Sequence, residues 1–247
     1  MNNQFSEHIG CSIFHLCGFE TQETTMGYFT APTGKRKLVV ACKDFTQNGE
    51  ILYEFSKLAN QVQVEGKYGT SIESVYNIIS SNSIIGEKEN MISRFWDMFV
   101  IDTLIGNSDR HFDNWGIIER NQNISFAPIY DCGSSLAALV DDSVMKELLS
   151  DERVSAFKNR EYNISSCYSM NGQRIFYHSI FRNPTEELLS AVKRIVPQIN
   201  IASITELIDE TPEMADVRKE YIKKAVCMRY EQILMPTYKR AMKQQIK

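Results

Sequence analysis

The sequence predicts an α+β fold, with a small mixed region followed by a larger, mostly helical one. Three observations carry this. The chain opens with Phe5, Ile9, Ile13, Leu16 and Cys17 recurring at three- and four-residue spacing, the mark of an amphipathic helix. Two extended runs, Thr24–Phe29 and Lys37–Lys43, then flank Pro32-Thr33-Gly34 as a hairpin would. After Asn48-Gly49 the apolar spacing is helical, interrupted by one short hairpin near the middle of the chain.

Each element has its own signal. Gly18 is placed to stop the first helix, because glycine accepts the left-handed conformation common at helix C-termini. The run Leu38–Cys42 (LVVAC) is apolar on both faces and predicts a buried strand. Helices are expected over Ile51–Asn60 and Ser71–Ser80. The strongest spans Lys88 to Ile105, where Met91, Ile92, Phe95, Met98, Phe99 and Asp102 alternate around an almost wholly apolar cylinder fit for the middle of a domain. The texture then changes. Gly106–Asn114 is a polar loop, and Trp115–Ile118 and Ile124–Ile129 read as strands joined by the Asn-rich turn Glu119–Asn123. Asp131-Cys132-Gly133 is a second polar turn. Everything beyond about residue 141 reads as helical, punctuated by Pro184, Pro197, Pro212 and Pro236. No linker separates a 1–45 region from a 46–247 region, which are the expected divisions.

Composition excludes several classes. A hydrophobic fraction of 43% and a charged fraction of 23% are ordinary globular values and argue against disorder. The net charge of −4 gives no reason to expect direct nucleic-acid binding. A basic run over 218–247, including Arg218, Lys219, Lys223, Lys224, Arg229, Lys239, Arg240, Lys243 and Lys247, reads as the solvated face of a terminal helix. The cysteines at 11, 17, 42, 132, 167 and 227 show no C-x-x-C spacing and no zinc pattern, so reduced thiols in a cytoplasmic protein are expected. Neither a signal peptide nor a membrane span is legible.

The order of buried helix, polar loop, tight hairpin and polar turn is suited to phosphoryl transfer. That chemistry needs one carboxylate to orient the attacking hydroxyl and take its proton. It also needs an amide oxygen and a second carboxylate to hold Mg²⁺ on the phosphates. Asp109 and Asn114 stand as D-x-x-x-x-N, and Asp131 opens a D-x-G turn after the hairpin, the protein-kinase arrangement with Cys132 in place of Phe. Either motif alone carries little weight, since Asp and Asn favour turns anyway. Together, in this order, they specify more.

The segments GNSDRHFDN (106–114) and FAPIYDCGSSL (126–136) resemble the core of the HipA-like serine/threonine kinases, with G-N-x-D-x-H-x-x-N and then P-x-Y-D. SEHIGCSIFHLCGFETQET is similar to that family's passage from an N-lobe helix into a strand, and LVVACKDF to its strand entering the adenine-binding hinge. The resemblance covers roughly residues 5–135. It implies a protein-kinase-like fold with a shortened small lobe carrying a β-hairpin and a mostly helical large lobe. It implies ATP and Mg²⁺, with Asp109 as catalytic base and Asn114 and Asp131 on the metal. The backbone of Lys43, Asp44 and Phe45 would meet the adenine edge, with Phe45 beside the ring. Glu7 would be the acid that pairs with a phosphate-holding lysine, and His111 would brace the loop by hydrogen bonding. A protein substrate and a restraining antitoxin partner are also implied.

One departure stands out. No lysine precedes Glu7, and no Gly-rich phosphate loop is present; Lys35, Lys37, Lys43, Lys57 and Lys67 all follow the first helix. A partner chain completing the lobe, an N-terminally shortened inactive member and a start further upstream are the explanations. Two other functions therefore stay open, an inactive kinase-like binding module and a small-molecule phosphotransferase. A metal-dependent hydrolase built on Asp109, His111 and Asp113 is disfavoured by the four histidines in the whole chain.

Overall fold

The computed structural model describes residues 2–47, 49–61 and 70–244; Asn48, Lys67 and Lys247 lie outside the described residues. Helix α1 (Asn3–Leu16) buries Ile9, Ile13 and Phe14 completely and stops as expected, with Gly18 left-handed at φ 81°. Strands β1 (Thr24–Thr30) and β2 (Arg36–Cys42) form the expected antiparallel ribbon, in register from Thr24↔Cys42 to Thr30↔Arg36. The burial expected for Leu38–Cys42 is not found: Leu38, Val39 and Val40 are half-buried and Ala41 and Cys42 exposed. One face of the ribbon packs toward α1, and among the described residues no layer covers the other. Branched residues favour a strand, but burial needs a second layer that local sequence does not report.

The helix expected from Ile51 begins instead as a strand. Strand β3 (Ile51–Glu54) pairs with β4 (Gly116–Arg120), which pairs with β5 (Asn123–Phe126), all antiparallel. Only then does α2 (Phe55–Gln61) start. The pairing partner lies more than sixty residues away, so helical spacing alone misreads Ile51–Glu54. Gly116 is required where the strands meet, since a Cβ there would lie 2.1 Å from the Tyr53 carbonyl oxygen.

Helix α3 (Ile72–Ser81) is capped by Ser71, whose hydroxyl accepts from the Ser74 N–H at 3.1 Å. Helix α4 (Lys88–Ile105) is the central element, with Phe95, Trp96, Val100, Ile101, Leu104 and Ile105 fully buried. The remaining chain forms α5 (Asp142–Leu148), α6 (Val154–Tyr162), β6 (Ser165–Met170), β7 (Gln173–Phe176), α7 (Tyr177–Arg182), α8 (Glu186–Ile195), α9 (Ile201–Glu210), α10 (Asp216–Arg229) and α11 (Met235–Gln244). The β6–β7 hairpin corrects the all-helical expectation for this region. Its turn is Asn171-Gly172, both at positive φ, the pairing that two-residue hairpins demand.

Helices α10 and α11 are joined by a π-helical turn over Tyr230–Leu234. Pro236 lacks an N–H and crowds the carbonyl four residues back, and the wider turn relieves both. The basic run is only partly a solvated face. Arg218 and Arg229 are buried, while Lys224, Lys239, Arg240 and Lys243 are exposed. Among the described residues, no helix is long and apolar enough to cross a membrane.

Candidate active site

The polar loop after α4 is pinned at both ends. Gly106 closes the helix in the left-handed conformation, φ 66°. Asn107 is fully buried, and its carbonyl accepts from the Tyr177 hydroxyl. At the far end Phe112 and Trp115 drop into the core, where Trp115 stacks on Phe55 with ring centroids 4.0 Å apart and donates its indole N–H to Tyr168 at 2.9 Å. Two aromatic anchors thus bracket Asp113 and Asn114.

Between the anchors the polar side chains hold one another. The Asp109 N–H donates to Asn107 Oδ1 at 3.1 Å, and the Asp109 carbonyl accepts from Asn114 Nδ2 at 2.8 Å. That bond commits the nitrogen of the buried Asn114 amide and leaves its oxygen as the free end. The Asp109 carboxylate is half exposed, and its Oδ2 accepts from the Ser134 hydroxyl at 3.3 Å. His111 Nδ1 lies 3.3 Å from the Asp113 N–H and 3.4 Å from Asp113 Oδ2, and its Nε2 is 3.9 Å from Asp109 Oδ1. His111 therefore touches the loop and not a distinct pocket.

Asp131 is held at φ 54°, in the left-handed region that aspartate tolerates better than most residues. Its carboxylate is exposed and makes no hydrogen bond or ion pair among the described residues. Cys132 beside it is fully buried against α1, where a Cβ on Gly10 would lie 2.5 Å from the Cys132 Cβ. Glu7, one turn earlier on α1, is also buried and lies close to Gly133. Burial pushes its carboxyl above the usual range, and the negative charge of Asp131 adds to the shift. It makes no ion pair among the described residues; the Cys11 thiol donates to it at 3.4 Å, and the Cys132 backbone and the Arg110 charge partly offset the rise.

The residues expected at an adenine-binding hinge form a second group. Lys43 is spent on an exposed ion pair with Glu23 at 2.8 Å, far from the role of a phosphate clamp. Its carbonyl accepts from Gln22. Asp44 folds back on Thr46, whose N–H and hydroxyl both donate to Oδ1, and these bonds hold its carboxyl below the usual range. The backbone polar groups of Asp44 and Phe45 have no partner among the described residues. The Phe45 ring meets Tyr130 at 5.7 Å, next to Asp131. Phe45 and the Asp131 turn are thus neighbours through this aromatic contact.

Comparisons with known proteins fit this geometry. The model of the HipA-like C-terminal domain matches residues 1–202. The chain belongs to the HipA-like family. It is 36% identical over 248 aligned residues to the serine/threonine-protein kinase CtkA of Helicobacter pylori, covering 97% of this chain and 74% of that protein. The crystal structure of H. pylori proinflammatory kinase CtkA superposes with a TM-score of 0.90 at 33% identity, over 100% of this chain and 85% of that one. HipA of Shewanella oneidensis, solved with HipB and operator DNA, matches with a TM-score of 0.60 at 14% identity over 95% of this chain and 57% of that one, a likeness of fold. The α+β, kinase-like fold is therefore that of CtkA and HipA, and the chain is a homologue of a serine/threonine kinase.

Sequence reasoning missed the residue that ties this HipA-like site together. Arg110 is 1% exposed and pairs with the equally buried Asp102 of α4 at 3.0 Å. Its Nη1 donates to the carbonyls of Asn114, at 2.8 Å, of Asp131, at 3.2 Å, and of Tyr130. Its Nη2 donates to the Cys132 thiol sulfur at 3.3 Å, and its guanidinium lies 5.7 Å from the Phe14 ring of α1. One side chain therefore joins helix, loop, turn and α1. Asp102 holds the guanidinium charged well above its ordinary range against the cost of burial. A signal did exist: an aspartate inside the run Val100–Ile105 cannot be buried without a partner, and Arg110 is the next cation along the chain. Ser134, which touches Asp109, carried no such signal.

Proposed function

We propose that this chain transfers the γ-phosphoryl group of ATP to a serine or threonine hydroxyl of a protein. The observation that carries the reading is the convergence of Asp109, Asn114 and Asp131 around the Arg110 hub, in a chain related to a serine/threonine kinase. Asp109 takes the proton of the attacking hydroxyl. Ser134 bonds its carboxylate while leaving it half exposed, with His111 Nε2 nearby at 3.9 Å. The free oxygens of Asn114 and Asp131 would hold Mg²⁺, and they fit it: both are hard donors, and this ion needs only one or two protein groups. When bound, the ion would offset negative charge on the phosphate oxygens. The backbone groups of Asp44 and Phe45, without partners among the described residues, would meet the adenine edge. We retain a division near residue 45, a cytoplasmic setting and an antitoxin-like protein partner as further proposals from the family resemblance.

The test is phosphate transfer from labelled ATP by the purified chain, with self-modification scored, alongside Asp109→Asn and Asp131→Asn. Loss of the base should lower turnover by about 10²–10⁴-fold with the fold intact. Equal transfer by all three proteins would refute the assignment. A second reading, a kinase-like binding module without turnover, is favoured by Glu7, a buried acid that makes no ion pair with a lysine among the described residues. Retained nucleotide binding with no transfer by the wild type would support it.

A further inference from the structure

Ser134, whose hydroxyl touches Asp109, also lines a cavity of about 370 Å³. Its walls come from the loop at Ser108, from Leu139 beyond the D-C-G turn, from Arg160 near the end of α6 and from Arg174 on β7. None of Lys43, Asp44, Phe45, Asn114 and Asp131 lines it. Asp109 is not itself part of the lining, and the cavity meets it through Ser134 and the neighbouring Ser108. An acceptor hydroxyl needs an approach apart from the metal-binding residues, because phosphoryl transfer places attacking and leaving oxygens in line on opposite sides of the phosphorus.

The wall is built and basic. Leu136 and Ala137 both adopt left-handed backbone, φ 51° and 55°. Their segment is fixed by the buried Arg218, whose Nη2 donates to the Val140 carbonyl at 2.6 Å, and by the Leu136 N–H, which donates to Ile105 at 2.9 Å. This rigid shelf presents Leu139 at 74% exposure, the most exposed large apolar side chain among the described residues. Arg174 is exposed, gives Nε to the Ser166 carbonyl at 3.2 Å and makes no ion pair among the described residues. Arg160 is half exposed, and its one acidic neighbour, Glu161, is 3.6 Å away. Glu161 also lines the cavity, but its carboxylate is buried and already satisfied by Arg229 and Tyr221. Two guanidinium groups thus face the space with their charge largely uncompensated.

We propose that this groove seats the acceptor segment of the protein substrate, and that Arg160 and Arg174 select a segment carrying a carboxylate side chain near the acceptor serine or threonine. Guanidinium forks match carboxylates in shape and charge, and the pairing is strongest at a partly shielded wall. The inference rests on the reading of Asp109 as the base.

The test uses the full chain and fluorescent peptides with one serine flanked by Glu, Ala, Lys or phosphoserine. Binding is followed by anisotropy and phosphate transfer in parallel. The Glu peptide should bind at least about tenfold more tightly than the Lys peptide. The Arg160→Ala/Arg174→Ala double variant should lose that preference while keeping the wild-type melting temperature and ATP affinity. Equal binding of the Glu and Lys peptides, no binding of any peptide, binding of the phosphoserine peptide alone, or a preference that survives in the double variant would each overturn the proposal. Charge-selective binding without transfer would support the groove and count against Asp109 as base. Transfer without acidic preference would do the reverse.

Discussion

Replacing Arg110 with methionine separates what the hub does for stability from what it does for geometry. Methionine keeps much of the side-chain length and removes the charge. Removing one member of a buried ion pair costs about 3–5 kcal/mol, because the other charge is left without a partner. Asp102 would be that charge, with the Asn107 amide at 3.0 Å as its remaining side-chain donor. The carbonyls of Asn114, Tyr130 and Asp131 lose a shared donor as well, at about 1–3 kcal/mol for each that water cannot reach. A loss of about 4–6 kcal/mol follows, a large share of the 5–15 kcal/mol that holds a typical domain. Adding Asp102→Leu removes the orphaned charge and should return at least about 2 kcal/mol. Activity should not return with it, since nothing then holds the Asn114 and Asp131 backbones to a common point. Urea unfolding followed by the fluorescence of Trp96 and Trp115, together with phosphate transfer, reads both quantities. A single variant within about 1 kcal/mol of wild type, or a double variant with wild-type turnover, would refute the hub.

Three further outcomes follow from the same geometry. Glu7→Gln should stabilise the protein at pH 7 by about 0.5–2 kcal/mol while weakening activity. Glu7's folded pKa is raised, so the stability from its protonated form is full below the unfolded value and lost as pH climbs through the folded one; the gap between variant and wild type in thermal melts should therefore close as pH falls toward 4.5. Gly106→Ala should cost about 1–2 kcal/mol, because the position is left-handed and a Cβ would meet Ile164 Cδ1 at 2.8 Å; a chemical denaturation midpoint checks it. Cys132→Phe, which would recreate the commoner D-F-G triplet, should destabilise by about 1–3 kcal/mol, since the thiol is sealed between Gly10 and Arg110; an unchanged melting temperature would show that α1 yields easily.

The elements legible in the sequence were those whose signal is local. The helix Lys88–Ile105 is apolar enough to announce itself, and its stop at Gly106 is a matter of one glycine's backbone freedom. The strand β3 was not legible, because Ile51–Glu54 is a strand only by virtue of Gly116 and its neighbours. The β6–β7 hairpin could have been found, since Asn171-Gly172 is a strong two-residue turn signal inside a region read as helical throughout. At the site the contrast has the same cause. Asp109, Asn114 and Asp131 stand in the order and spacing that the proposed chemistry asks for, so they can be picked out as candidates from the sequence. Arg110 sits among them in the chain, yet its role appears only when α4, the loop, the turn and α1 meet around it. The buried aspartate in α4 is what requires that meeting. Without the loop's arginine, Asp102 is an uncompensated charge in the core; with it, the energy that satisfies the core also fixes the carbonyls next to the two proposed metal-binding residues. Fold stability and site geometry are therefore coupled through one ion pair, and the active loop should be unable to rearrange without exposing a cost in the core.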